Sequence, residues 1–290
     1  MQGWTFSAML AVAWALVPAL VFGFAGAETV RACEKLPLVW RLILPALFGA
    51  PYIIVSGVSV HESWLTLYLG LPILIAALLW HAQQADPQQQ GNWRDFAILL
   101  LLGLAVDLRW FEPAWPAQFR VINKLILLDS GLYGFLVLRR LTNVGFDLRI
   151  RVQDLRIGLR ELLFYAPFAV PLGLWLGFLH FRSHVPQLGM AVATWLVAFF
   201  AIAVPEEIYF RGWIQNLLER RIGRRASLVV TAMIFGLAHF NKRSTHFNWR
   251  YVLLATIAGI FYGRAWRQRQ RVAASAITHS CVDTIWSLWL

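Results

Sequence analysis

Apolar runs near bilayer length recur along this 290-residue chain, and they limit what it can fold into more than any other feature. They lie at about 4–26, 36–58, 63–81, 96–111, 121–138, 160–181, 189–218, 226–240, 250–266 and 272–290. A bilayer core about 30 Å thick is crossed by a helix of about 20 apolar residues. Only 14% of the residues are charged, against about 25% in soluble domains, too few to cover a water-exposed surface of this size. The expectation is an all-α, polytopic membrane bundle of eight to ten transmembrane helices. The fourth run is the weakest, being short and ending in Asp107 and Arg109.

The net charge of +11 does not point to nucleic acid, because the charges cluster in short segments between apolar runs and no stacking platform accompanies them. One alternate set of loops carries 16 Lys and Arg; the other carries only Arg120, Arg182, Lys242 and Arg243. By the positive-inside rule the first set is cytoplasmic and both termini lie outside. Of the 15 Trp residues, Trp4, Trp64, Trp80, Trp110, Trp115 and Trp249 fall near span ends, where interfacial anchoring is expected. His180, His184 and His246 sit near outer boundaries and read as water-facing. The first run ends Ala25-Gly26-Ala27, resembling a signal-peptidase site, but no Lys or Arg precedes it, which favours an uncleaved first span. Cys33 and Cys281 belong to different apolar segments and build no disulfide framework.

Three regions are expected: N-terminal transmembrane helices of unknown role at 1–138, a basic segment with a lead-in helix at 139–188, and a catalytic core at 189–290. Asp86-Pro87-Gln88-Gln89-Gln90-Gly91-Asn92 is the clearest linker. Over 139–160 basic residues alternate with Phe146, Leu148, Ile150, Val152, Leu155 and Ile157, which fits a segment lying on an anionic leaflet as well as it fits a solvated loop.

Ionisable groups inside a span are costly and usually mark function, and the last third of the chain concentrates them. Glu206, Glu207 and Arg211 follow the apolar run 191–204; Phe235 and His239 end the next; His279 and Asp283 sit in the last. Glu207/Arg211, Phe235/His239 and His279/Asp283 each have i, i+4 spacing, so each pair shares a helix face. Counted at 1.5 Å per residue from the nearest cytoplasmic turn, Glu206 and His239 lie about 20 Å deep and His279 and Asp283 about 12–18 Å. Three helices thus bring these groups to similar depth, as a single buried site would.

Glu207 and Arg211 are in the favourable order for an intrahelical ion pair, which leaves Glu206 to act with His239 as a general base for water. His279 would donate to a developing oxyanion with Asp283 orienting it. Pro205 removes one helical hydrogen bond and is expected to kink its helix. Phe235 reads as packing, and Cys281 points away from its two neighbours on the helix.

Glu-Glu-x-x-x-Arg, Phe-x-x-x-His and His-x-x-x-Asp, in this order on successive late spans, resemble the CAAX protease and bacteriocin-processing (CPBP) family, the CAAX prenyl endopeptidase-like glutamic intramembrane proteases. The likeness covers about residues 190–290. It implies an all-helical, membrane-embedded endopeptidase in which Glu206 and His239 activate water and His279 with Asp283 stabilises the oxyanion. Asp283 stands where prenyl-processing members carry Asn. The implied partner is a membrane-anchored protein or peptide substrate in the lipid bilayer, in protein maturation or sorting, and the implied site is a bacterial inner membrane. A non-enzymatic immunity or scaffold protein of the same fold is the alternative; a transporter is disfavoured because no internal repeat is present. No cofactor is required on the glutamate reading, whereas Glu206, His239 and His279 are also a ligand set of the type a divalent metal such as zinc accepts.

Overall fold

A computed structural model of the chain describes residues 6–56, 61–116, 119–182, 186–242 and 246–290. Trp4, His184 and Arg243 lie outside the described residues. The chain is helical with no strand among the described residues, and each of the ten expected apolar segments is helical over most of its described residues, with 36–58 divided into two short α-helices joined by a 3-10 stretch. Two compact units are formed, Met1–Thr142 and Asn143–Leu290. Among the described residues, six helical stretches are long and apolar enough to cross a membrane: Phe6–Glu34, Leu38–Val55, Glu62–Ala85, Arg120–Leu138, Val152–Trp175 and Leu188–Leu237. The protein is therefore an all-α, multi-pass integral membrane protein. Leu188–Leu237, 50 residues long, contains two of the expected segments. The short helix near 96–111 and the two C-terminal helices fall below that measure, the first by length and the others by their polar and basic residues.

The first unit contains α1 (Phe6–Glu34), α2 (Leu38–Ile43), α3 (Ala50–Ser56), α4 (Glu62–Ala85), α5 (Trp93–Asp107) and α6 (Arg120–Tyr133). α1 passes through Pro18 and bends at Ala25, whose φ/ψ of −137°/34° is non-helical. The expected linker at 86–92 is instead fastened down. Arg139, fully buried, reaches Asp86 at 2.6 Å and Asp95 at 2.7 Å. Asp86 accepts from the Gly91 N–H at 2.8 Å, and Asn92 and Asp95 cap α5 reciprocally. A buried guanidinium needs that full set of partners. Trp115, expected as an interfacial anchor, is buried with its indole N–H on the Tyr68 hydroxyl, while Trp110 and Trp249 are exposed.

The second unit contains α7 (Val152–Trp175), α8 (Leu188–Val197), α9 (Val204–Glu207), α10 (Asn216–Leu237), α11 (Trp249–Arg267) and α12 (Val272–Trp289). α7 begins eight residues earlier than the apolar run, because the Arg151 N–H donates to Asp154 Oδ2 (2.9 Å) and caps it. It ends where Gly177 takes φ +63°. The basic loop before α7 is docked onto protein. Arg271 reaches Asp147 at 3.1 Å and Asp154 at 2.8 Å, and the Val272 N–H donates to the Gly145 carbonyl at 2.9 Å. Burial raises the Asp147 carboxyl pKa, but hydrogen bonds from Arg149 and Arg271 outweigh that and hold it at about 2. At the other end of the helices Phe178, Tyr251 and Trp286 pack together, with ring centroids 5.2–5.4 Å apart.

Candidate active site

The chain runs helically from Leu188 through Pro205 because the backbone widens on both sides of α9. Ala198–Ala203 and Ile208–Gln215 are π-helical. A proline in an α-helix clashes with the carbonyl four residues back; i→i+5 turns relieve that, and such turns recur at functional sites. The expected kink is thus replaced by π-helical turns, and the two glutamates lie between them.

Glu207 and Arg211 form the expected ion pair at 2.8 Å with both side chains fully buried. The pair is shared further than its spacing revealed. The same Glu207 Oε1 receives His279 Nδ1 at 2.8 Å, and Arg211 Nη2 donates to the Gly259 carbonyl at 3.1 Å. The guanidinium carbon lies 4.6 Å from the Phe235 ring centroid and 5.3 Å from that of Tyr262, a cation–π cage that helps offset its desolvation. Phe235 does more than fill space: its ring meets Arg211, His239 and His279, and its carbonyl sits 2.8 Å from His239 Nδ1.

That last contact fixes a proton. A carbonyl only accepts, so Nδ1 of His239 is the N–H, and Nε2 of the neutral ring carries the lone pair. His279 is oriented the same way by Glu207, not by Asp283 as expected. Its Nε2 lies 3.6 Å from Asp283 Oδ2 and 3.9 Å from Glu206 Oε2, beyond direct hydrogen bonding. Its ring lies flat against Tyr262, with centroids 4.6 Å apart and planes 16° apart.

Glu206 has a cationic partner besides the expected His239. Lys242 Nζ stands 3.7 Å from its Oε1, while Oε2 is buried with no hydrogen-bond partner. Glu206 also interacts electrostatically with His239. An apolar cavity between α7, α11 and α12 has His239, His279, Asp283, Tyr262 and Tyr165 in its wall. Glu206 is not among the lining residues and meets the group through His279 Nε2. Cys281, unpaired, stays off the cavity wall.

Three residues were missed by sequence reasoning. Lys242 reads as an outer-loop charge, and only its three-residue spacing from His239 hinted at the site. Tyr262 and Tyr251, the latter 4.7 Å from His239, belong to a helix with no polar motif. The metal alternative lacks a gathered ligand set. Among the described residues no three His, Cys, Asp or Glu side chains gather as a metal would require. Nδ1 of His239 faces a carbonyl and Nδ1 of His279 a carboxylate, which leaves Nε2 of each ring as the nitrogen a metal would take.

An all-helical membrane bundle with a buried carboxylate–imidazole cluster defines a polytopic membrane protein with a candidate hydrolytic centre. Residues 187–285, which carry all three motifs, match the family model described as type II CAAX prenyl endopeptidase, Rce1-like. That match spans about a third of the chain and agrees with the resemblance read from the motifs. No curated protein and no solved structure matches the chain.

Proposed function

We propose that this protein is an intramembrane endopeptidase that hydrolyses a peptide bond of a membrane-associated protein or peptide, in maturation or sorting of that substrate. The carrying observation is one charge network: Glu207 joins Arg211 and His279, and Glu206 and Asp283 flank Nε2 of the same imidazole at 3.9 and 3.6 Å. Water is activated by Glu206 with the Nε2 lone pair of His239. Its oxygen bonds to the scissile carbonyl carbon while its proton passes to this pair. His279 acts as an imidazolium, with Nδ1–H held by Glu207 and Nε2–H donated toward the oxyanion, and Asp283 supports that charge. The proton held by the base then goes to the departing amine as the C–N bond breaks. The arginine-rich loops face the cytoplasm, as in a bacterial inner membrane.

The test compares membrane proteomes of cells carrying the wild-type and Glu206→Gln proteins, followed by cleavage of the accumulated precursor by purified protein. Loss of a general base is expected to slow cleavage by about 10²–10⁴-fold. Equal processing by both proteins, with a full cellular phenotype in the variant, would instead favour the immunity or scaffold role.

A further inference from the structure

A second, polar pocket adjoins the cavity at the end of the bundle remote from Arg271, and no step of the proposed chemistry uses it. It is lined by Arg182, Arg250, Trp249 and Leu290 among others; among the described residues no acidic side chain lines it, and its one carboxylate is the α-carboxylate of Leu290. Three of its residues, Phe178, Trp286 and Leu290, also line the cavity that contains His239 and His279. The two spaces therefore share a wall. Both arginines are exposed. Arg182 is braced by donating Nη1 to the Ser287 carbonyl (2.6 Å), and the Arg250 guanidinium lies 5.7 Å from the Trp249 ring centroid. The Leu290 carbonyl already accepts from the His180 N–H at 3.2 Å.

Two guanidinium groups against the single α-carboxylate of Leu290 leave a net positive charge for a further anion, and their planar forks suit a carboxylate or phosphate. Continuity with the cavity narrows the choice. The deep wall there bears imidazoles, a carboxylate and tyrosine hydroxyls, which suit an amide backbone better than a lipid acyl chain. We propose that Arg182 and Arg250 form a carboxylate-binding vestibule. They hold a carboxylate of the peptide substrate while its neighbouring apolar residues pass Phe178 and Trp286 toward His239. The proposal rests on the peptidase reading and adds the substrate's charge. The substrate is presented from the end of the helices opposite the arginine-rich loops.

The experiment measures binding without turnover, using the full-length Glu206→Gln protein in phosphatidylcholine nanodiscs. The probe is a fluorescent N-decanoyl-Leu-Ala-Leu-Leu peptide, as free acid and as C-terminal amide. The acid is expected to bind about tenfold to a hundredfold more tightly. Adding Arg250→Gln or Arg182→Gln should abolish that preference while leaving amide binding unchanged, which also reports an intact cavity. Equal binding of acid and amide, or a preference that survives both substitutions, overturns the proposal. So does loss of the preference when phosphatidylglycerol replaces part of the phosphatidylcholine, which would make a lipid headgroup the occupant. Because binding is read apart from cleavage, the vestibule and the peptidase reading can fail independently.

Discussion

His279 Nδ1 stands 2.8 Å from Glu207 Oε1, and Arg211 Nη1 stands the same distance from that oxygen. Glu207 therefore holds the imidazole that faces Glu206 and Asp283, and the motif glutamate nearest the arginine is a positioning residue. Breaking a buried pair by removing one charge costs about 3–5 kcal/mol, because the other is left uncompensated. Glu207→Gln should accordingly lower the unfolding midpoint in a fixed detergent, and Glu207→Gln combined with Arg211→Met should restore most of it. A single variant that melts like wild type would contradict the burial of this pair.

Asparagine at position 239 separates folding from chemistry. The Phe235 carbonyl lies 2.8 Å from His239 Nδ1, and an asparagine amide nitrogen can donate to it in the same way. It cannot supply the lone pair of Nε2. His239→Asn is therefore expected to keep wild-type thermal stability and to lose about 10²–10⁴ in kcat/KM, measured on the precursor found with Glu206→Gln. Retained activity would exclude His239 as a base.

How much of this was readable beforehand differs by level. The apolar runs gave the helices, because length and hydropathy decide membrane spans with little help from tertiary context. Depth counting put Glu206, His239, His279 and Asp283 at a similar level, and i, i+4 spacing put Glu207 with Arg211 and His279 with Asp283 on one face, because both are linear in residue number. Tertiary partners escaped that counting. Nothing in the sequence said that Glu207 rather than Asp283 orients His279, that Lys242 folds back to Glu206, or that Tyr262 covers the imidazole. Those contacts join segments up to 72 residues apart. Trp115 was misread for a related reason. It sits at a span end, where lipid anchoring is the usual role, yet a buried partner in its own unit claims it.

Tyr262 offers a test of that coverage. Its ring is buried against His279 and beneath Arg211. Tyr262→Phe retains the ring and should leave stability near wild type. Tyr262→Ala removes a large buried ring and should cost about 3–5 kcal/mol, and it should also reduce kcat by loosening the imidazole. Thermal melts and single-turnover cleavage of both variants read the two effects.

Strong acid should loosen the loop that docks onto α12. The Asp147 carboxyl has a pKa of about 2 in the folded protein, below its ordinary 3.8. A group with a depressed folded pKa contributes stability fully above its unfolded pKa and loses it as pH falls through the folded value. Asp147→Asn should thus be less stable than wild type by a constant amount from pH 8 down to about 5. The gap should narrow below pH 3.8 and vanish near pH 2. Parallel denaturation series of the two proteins across that range check it; a gap independent of pH would assign Asp147 no role as a carboxylate.

Gly236, three residues before His239, sets how closely α10 and α11 approach. A Cβ built there would overlap the Thr256 hydroxyl and come within 2.6 Å of the Val252 carbonyl oxygen. One neighbour is a side chain, but the other is backbone and cannot swing aside. Gly236→Ala must therefore push the helices apart, and overpacking of this kind costs about 1–3 kcal/mol. The shift is carried to Phe235, whose ring touches both imidazoles and whose carbonyl orients His239, so kcat should fall together with stability. Gly189 is the control, since nothing lies within 4 Å of a Cβ there. Gly189→Ala should change stability by no more than about 1 kcal/mol, in the stabilising direction that helix propensity favours. Adding Thr256→Ala to Gly236→Ala removes the side-chain overlap and leaves the Val252 carbonyl in place, so only part of the loss should return. Full recovery would show that the backbone there yields after all, and no recovery would place the strain wholly on the carbonyl.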